Sequence, residues 1–185
     1  RYAETLAESL RTLAVEPHVH AISRLRLPSL PGVSVDLSSF LGEYPLRIKA
    51  SGVDDVIHLT SQTLATVLAL SRLPRSTVVT VHDIIPYVLR EHPSLTNYRH
   101  AFDRAVDRLA LRGLARAESI IAISEATKRD LVRHLDIPAE RIDVVPLAVD
   151  HERFQPWPIA DAFLNRYELA RNRPYLLYVG TEAAH

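Results

Sequence analysis

Ser76-Thr-Val-Val-Thr-Val-His-Asp-Ile-Ile-Pro-Tyr87 decides the fold. The run Val78-Val79-Thr80-Val81 is β-branched throughout, which suits a pleated strand and costs little side-chain freedom there. It is apolar on both faces rather than alternating, the mark of a strand covered on two sides. Then His82-Asp83 breaks the run with two ionisable groups, before Ile84-Ile85 resumes it. A buried parallel strand that ends in polar residues places them where ligands bind in open α/β sheets, outside the carboxyl ends of the strands.

Outward from this stretch the same pattern recurs. "DVIHLT" (55–60) precedes it and reads as a strand; "SIIAIS" (119–124) and "IDVVPLA" (142–148) follow as continuous apolar runs. Helical segments lie between them. "LATVLALSRL" (64–73) is apolar almost all round and predicts a buried helix. Residues 96–117 predict a long helix with Tyr98, Phe102, Val106, Leu109 and Gly113 inward, and "EATKRDLVRHL" (125–135) a helix capped by Ser124. At the amino end Tyr2, Leu6, Leu10 and Leu13 recur at helical spacing. "HVHAISR" (18–24) is a weak strand signal, and residues 27–54, rich in Pro and Gly, read as loop. Past Pro146, a Pro-rich linker leads to a short helix from Pro158 to about Leu169, and "PYLLYVG" (174–180) reads as a last strand. Strands alternating with helices predict an α/β fold, a Rossmann-like parallel sheet with helices on both faces.

The totals narrow the function. Lys+Arg and Asp+Glu are 22 each in 185 residues, which argues against a nucleic-acid partner. No apolar run approaches the roughly 18 residues of a membrane span. There is no Cys, hence no thiolate chemistry, and a cytoplasmic protein is expected. There is no Met either, at position 1 or elsewhere, so a piece of a longer product, truncated at both ends, is expected.

Three polar pairs converge on one predicted rim: Thr60-Ser61, His82-Asp83 and Ser124-Glu125. Ser124 is most simply a helix cap, but a capped helix start also offers N–H groups to an anionic or hydroxyl-rich ligand. It is no nucleophile of the elbow type, since "AISEA" lacks the flanking glycines. His82, Asp83 and His58 have no helical metal-ligand spacing, so no metal is expected. His58, inside a strand, reads as structural, and the strand context of His82-Asp83 argues against a helix-borne His-Asp phosphohydrolase centre. Arg104, Arg108 and Arg112 stand four apart on one helix face, expected to point away from the core and not at the strand ends. The ordinary reading is a solvated face. The sharper one is peripheral contact with anionic lipid headgroups at an inner membrane face.

"TVHDIIPY" (80–87), "AESIIAISEATKRDLVRHLDIPAERIDVVPLAVDHERFQP" (117–156) and "PYLLYVGT" (174–181), in that order, resemble the retaining glycosyltransferases of family 4 with the GT-B fold. The resemblance covers most of residues 55–181, and "RYAETLAESL" resembles the helix after that family's glycine-rich loop. It implies residues 1–148 as the amino-terminal acceptor-side domain, lacking its first strand and that loop, 149–173 as linker, and 174–185 as the first strand of a nucleotide-sugar domain. It implies His82 as the group reaching the transferred sugar and Asp83 as its partner or a sugar contact. Thr60, Ser61, Tyr87, Ser124 and Glu125 become substrate-binding candidates, and Gly180-Thr181 nucleotide-sugar candidates near the diphosphate. It departs from the family where "EAAH" follows Thr181, without the usual cations, and where Ala148 replaces a common Gly. The implied reaction moves a hexose, mannose- or rhamnose-type, from a nucleotide sugar to a glycan, lipid-linked or small-molecule acceptor hydroxyl. It retains the anomeric configuration and needs no metal or other cofactor, as part of polysaccharide biosynthesis. This chain alone is expected to be inactive. A sugar-nucleotide 2-epimerase of the same architecture and a non-catalytic glycan- or partner-binding half-domain are the alternatives.

Overall fold

The computed structural model describes residues 2–19, 56–70, 76–92, 98, 101–156, 158, 160–168, 174 and 176. The 18–24 strand signal from residue 20 on, the 27–54 loop and nearly all of the 174–180 strand lie outside them, as do Gly180 and Thr181.

Helix α1 (Tyr2–Thr12) opens the described chain and is followed by β1 (Ile57–Leu59). A 3-10 turn, Gln62–Ala65, runs directly into α2 (Thr66–Leu70), and β2 (Thr77–Val81) comes next. After it come α3 (Ile85–Val88), α4 (Ala101–Leu114), β3 (Ser119–Ala122), α5 (Glu125–Leu135) and β4 (Ile142–Val144). Helix α6 (Asp161–Arg166) closes the described elements. The chain divides into two compact units, Arg1–Pro146 and Leu147–His185.

In the first unit the four strands form one parallel sheet in chain order, β1-β2-β3-β4. Register explains the core. Leu59 pairs with Val79, Val79 with Ile120 and Ile120 with Ile142, and Val81 pairs with Ala122. Paired residues share a face, so these side chains form one apolar surface. All of them are buried, clustered with Ala65, Leu68, Leu111, Leu114 and Leu131 from the crossovers. The opposite face carries Thr80, whose hydroxyl lies 3.3 Å from the Tyr2 hydroxyl of α1. Helical segments therefore cover both faces, as the two-sided apolar strands required. The chain is an α/β protein with a Rossmann-like parallel sheet.

Several elements are shorter than their patterns. Helix α4 spans Ala101–Leu114 rather than 96–117, and its buried side is Ala110, Leu111, Gly113 and Leu114. Phe102 is 37 % exposed and does not belong to the inner face. Leu13 lies past the end of α1 and is exposed, beside Ala14 at φ 60°. Strand β4 ends at Val144, with Asp143, Val145 and Pro146 exposed. The turn after α5 behaves as its sequence suggests. Asp136 takes the left-handed conformation (φ 52°, ψ 31°) that short polar side chains tolerate, and Ile137 is buried behind it.

In the second unit, Asp150 Oδ1 accepts from the N–H groups of Glu152 and Arg153, at 3.0 and 3.1 Å, and tightens the Pro-rich segment. The ring of Phe163 in α6 and that of Tyr167, which caps its carboxyl end, lie 4.8 Å from each other.

Candidate active site

The carboxyl ends of β1, β2 and β3 bring Thr60-Ser61, His82-Asp83 and Ser124-Glu125 to one edge of the first unit. His82 follows the last residue of β2, an interior strand, so its backbone is set by the sheet. Its N–H donates to Gln62 Oε1 at 3.2 Å. Its Nε2 lies 3.3 Å from the carbonyl oxygen of Thr60. A carbonyl only accepts, so this contact puts a proton on Nε2 and leaves Nδ1 of the neutral ring as an acceptor. The Tyr2 ring meets the imidazole edge-on, with centroids 5.7 Å apart and planes at 80°. The backbone N–H and Nε2 are thus held by the segment that follows β1, and the ring packs against α1.

Ser124 and His82 are joined through Thr127. The Thr127 hydroxyl donates to the His82 carbonyl oxygen at 3.0 Å. Its single hydrogen is thereby used, so at 3.0 Å it accepts from the Ser124 hydroxyl. Ser124 Oγ in turn accepts from the Thr127 N–H at 3.1 Å, completing the cap of α5. Thr127 is 6 % exposed, so these bonds are sheltered from water. The first turn of α5 is thus tied to the end of β2, and the Ser124 hydroxyl is engaged by its own helix. Glu125 is exposed beside it.

Asp83 answers why an acid follows the histidine. Its Oδ1 accepts from the Ile85 N–H at 3.1 Å, turning the chain into α3. That short helix was not legible as one; its signals were Asp83 and Pro86, a good residue for a first helical turn. Thr60 contributes its carbonyl oxygen to His82, and Ser61 Oγ lies 3.1 Å from Thr63 Oγ1 at the start of the 3-10 turn. Tyr87 lies on α3 with the Arg90 guanidinium 4.4 Å above its ring. His58 is structural: its Nε2 lies 2.8 Å from Thr80 Oγ1, and burial lowers its pKa. Among the described residues no three His, Asp or Glu side chains gather as metal ligands.

The arginine stripe faces solvent as expected, with Arg104, Arg108 and Arg112 all exposed, and the first two also border a cleft with Tyr87, Arg90, Glu91 and Tyr98. The charge of Asp83 acts on Asp107, so this part of α4 lies toward the rim. Asp107, between the two arginines in sequence, accepts a hydrogen bond from the Tyr98 hydroxyl. Burial pushes its carboxyl up, the Tyr98 bond opposes this, and the charge of Asp83 adds to the rise. Gln62, Thr127 and Tyr2 were also missed around His82. Each reaches it from a different segment, a proximity that spacing along the chain does not encode.

No helix among the described residues is long and apolar enough to cross a membrane. Neither the curated proteins nor the solved structures gave a match. The family model described as Glycosyltransferase Family 4 matches residues 1–153, which span the whole sheet and every placed site residue. The chain belongs to Glycosyltransferase Family 4, whose chemistry is the transfer of a glycosyl group from a sugar donor to an acceptor.

Proposed function

We propose that this chain supplies the acceptor-side half of a retaining GT-B hexosyltransferase that uses a nucleotide sugar. The observation that supports this most directly is the fixing of His82. With Nε2 committed to Thr60, Nδ1 makes no hydrogen bond among the described residues. It is a preset acceptor for a sugar hydroxyl at the end of an interior strand. A group held in place before substrate arrives costs little reorganisation during reaction, which is the condition for strong transition-state stabilisation.

On this reading His82 orients the transferred hexose, a mannose- or rhamnose-type sugar. Thr60, Ser61 and Tyr87 shape the acceptor side, and the α5 start at Ser124-Glu125 borders the reacting groups. Asp83 sets the α3 turn through Oδ1, and its second carboxylate oxygen would orient His82 or contact a sugar hydroxyl. Gly180 and Thr181 would belong to the donor half and approach the diphosphate, with protein donors rather than a metal stabilising the leaving group. The protein would work at the cytoplasmic side of the membrane, in polysaccharide biosynthesis.

The test is transfer by the full gene product from a panel of nucleotide sugars, with product anomers assigned by NMR. Retention is expected, and His82→Ala should lower kcat by about two orders of magnitude. Inversion at the anomeric carbon, or an unchanged rate in a folded His82→Ala protein, overturns the proposal.

A further inference from the structure

Thr80 is the one hydroxyl in the run Val78-Val79-Thr80-Val81, and it is wholly buried. Valine has nearly the same shape and suits a buried strand, whereas a hydroxyl withdrawn from water costs stability unless it is hydrogen-bonded. Thr80 has two partners. His58 Nε2 lies 2.8 Å from its Oγ1 and the Tyr2 hydroxyl 3.3 Å from it. Register brings them together. Val78 and Thr80, two apart on β2, point to the sheet face opposite Val79 and Val81. His58 pairs with Val78 and shares that face. Tyr2, the first residue of α1, reaches the same face with its hydroxyl. The Thr80 hydroxyl has a single hydrogen, so it donates at most one of these bonds and accepts the other. One buried oxygen therefore ties α1 to two adjacent strands.

The same Tyr2 side chain carries this anchor to His82. Its ring meets the imidazole at 5.7 Å and 80°, a favoured edge-to-face arrangement. The backbone of Tyr2 is fixed by α1 and its hydroxyl by Thr80, so the ring between them is kept from swinging aside. His82 needs this support. Its Nε2 contact with the Thr60 carbonyl oxygen, at 3.3 Å, is longer than a usual hydrogen bond and holds the imidazole weakly by itself. We propose that Tyr2 is a positioning residue for His82, anchored through the buried Thr80 hydroxyl and His58, an inference that rests on reading His82 as the group that orients the transferred sugar. Tyr2 needs no contact with the sugar for this role. It keeps the imidazole turned with Nε2 toward Thr60, which leaves Nδ1 as the acceptor. The Tyr2–Thr80 bond is also long, and its steadiness comes from Thr80, which is buried and held closely by His58.

The experiment reads the His82 ring nitrogens by 15N NMR at about pH 8, where imidazoles are neutral. The signals are assigned by their loss in His82→Gln. The unchanged chain should show the proton on Nε2. Tyr2→Leu removes the ring contact and should move both signals toward exchange between the two neutral forms. Tyr2→Phe and Thr80→Val break the same hydroxyl bond, so each should give a smaller shift in that direction. Their double variant should shift no further than Thr80→Val alone. Tyr2 is half-buried at a helix end, and Leu and Phe fit a helix, so both Tyr2 variants should fold, as circular dichroism checks. In the full gene product, Tyr2→Phe should lower kcat by about threefold to tenfold, the loss of one hydrogen bond, with KM little changed, because the interaction serves the transition state. His82 signals that stay unmoved in both Tyr2 variants overturn the inference. Additive shifts from Tyr2→Phe and Thr80→Val overturn it too, since the two would then act independently. Signals that respond as expected, in a protein whose transfer rate is indifferent to His82→Ala, would sink the sugar-orienting reading of His82 while leaving its positioning by Tyr2 intact.

Discussion

Gly113→Ala separates helix propensity from tertiary packing, because the two predict opposite signs. Gly113 lies in the last turn of α4, where alanine should favour the helix by about 1 kcal/mol. A Cβ at this position, however, would lie 1.8 Å from the carbonyl oxygen of Ala65, 2.6 Å from its carbonyl carbon and 3.3 Å from its Cβ. The obstacle is backbone at the end of the 3-10 turn, so no side-chain rotation relieves it, and helix and turn must part by roughly 1 Å or more to restore normal contact. Ala65 and Leu114 are both wholly buried, so the separation opens the core as well as straining it. Overpacking of this kind costs about 1–3 kcal/mol, and an unyielding backbone places it at the upper end. After the propensity gain, a net loss of about 2 kcal/mol is expected. Urea denaturation followed by circular dichroism measures it, with exposed Ala105→Gly on the same helix calibrating the propensity term. The displacement should also reach the site, because the same turn carries Gln62, which accepts from the His82 N–H. A Gly113→Ala protein as stable as the parent, or more stable, would refute the close approach of α4 to this turn.

Thr127→Val keeps shape but strands the His82 carbonyl oxygen and frees the Ser124 hydroxyl; stability should fall by about 1–3 kcal/mol in urea titration, and an unchanged midpoint would mean the bridge contributes nothing. Ser124→Ala removes the cap and the hydroxyl bond to Thr127 but leaves the His82 carbonyl satisfied, and should cost about 1 kcal/mol by the same measurement, less than Thr127→Val. His58, with its pKa held below the usual 6.5 by burial, gives the fold a pH dependence. The unfolded chain then takes up the proton first, so the contribution is complete above the unfolded value and is lost as pH falls below it. Thermal unfolding from pH 7.5 to 5.5 should show this decline, and His58→Gln should flatten it; an equal slope in the variant would assign the decline to other groups.

The strands, their parallel arrangement and the rim were legible because each rests on local chemistry. β-Branched apolar runs can be buried only by layers on both sides, and Ser124 caps its own helix within three residues. His82-Asp83 stood out because ionisable groups interrupting such a run need a boundary to water. Gly113 was assigned inward from spacing, but why it must be glycine was not visible, since Ala65 approaches from 48 positions earlier. The same holds for the bonds that aim His82. Gln62, Thr60, Thr127 and Tyr2 come from three other segments, and only the sheet register and crossover packing set their distances. The arginine stripe shows the limit most clearly. Periodicity established that Arg104, Arg108 and Arg112 share a helix face, but a face has no address until the helix is docked. Docking placed the first two beside Tyr87 and Arg90, although all three remain exposed. Short-range periodicity therefore determined which segments form apolar strands and helix faces, while the tertiary packing decided which of those side chains are buried and which polar groups meet.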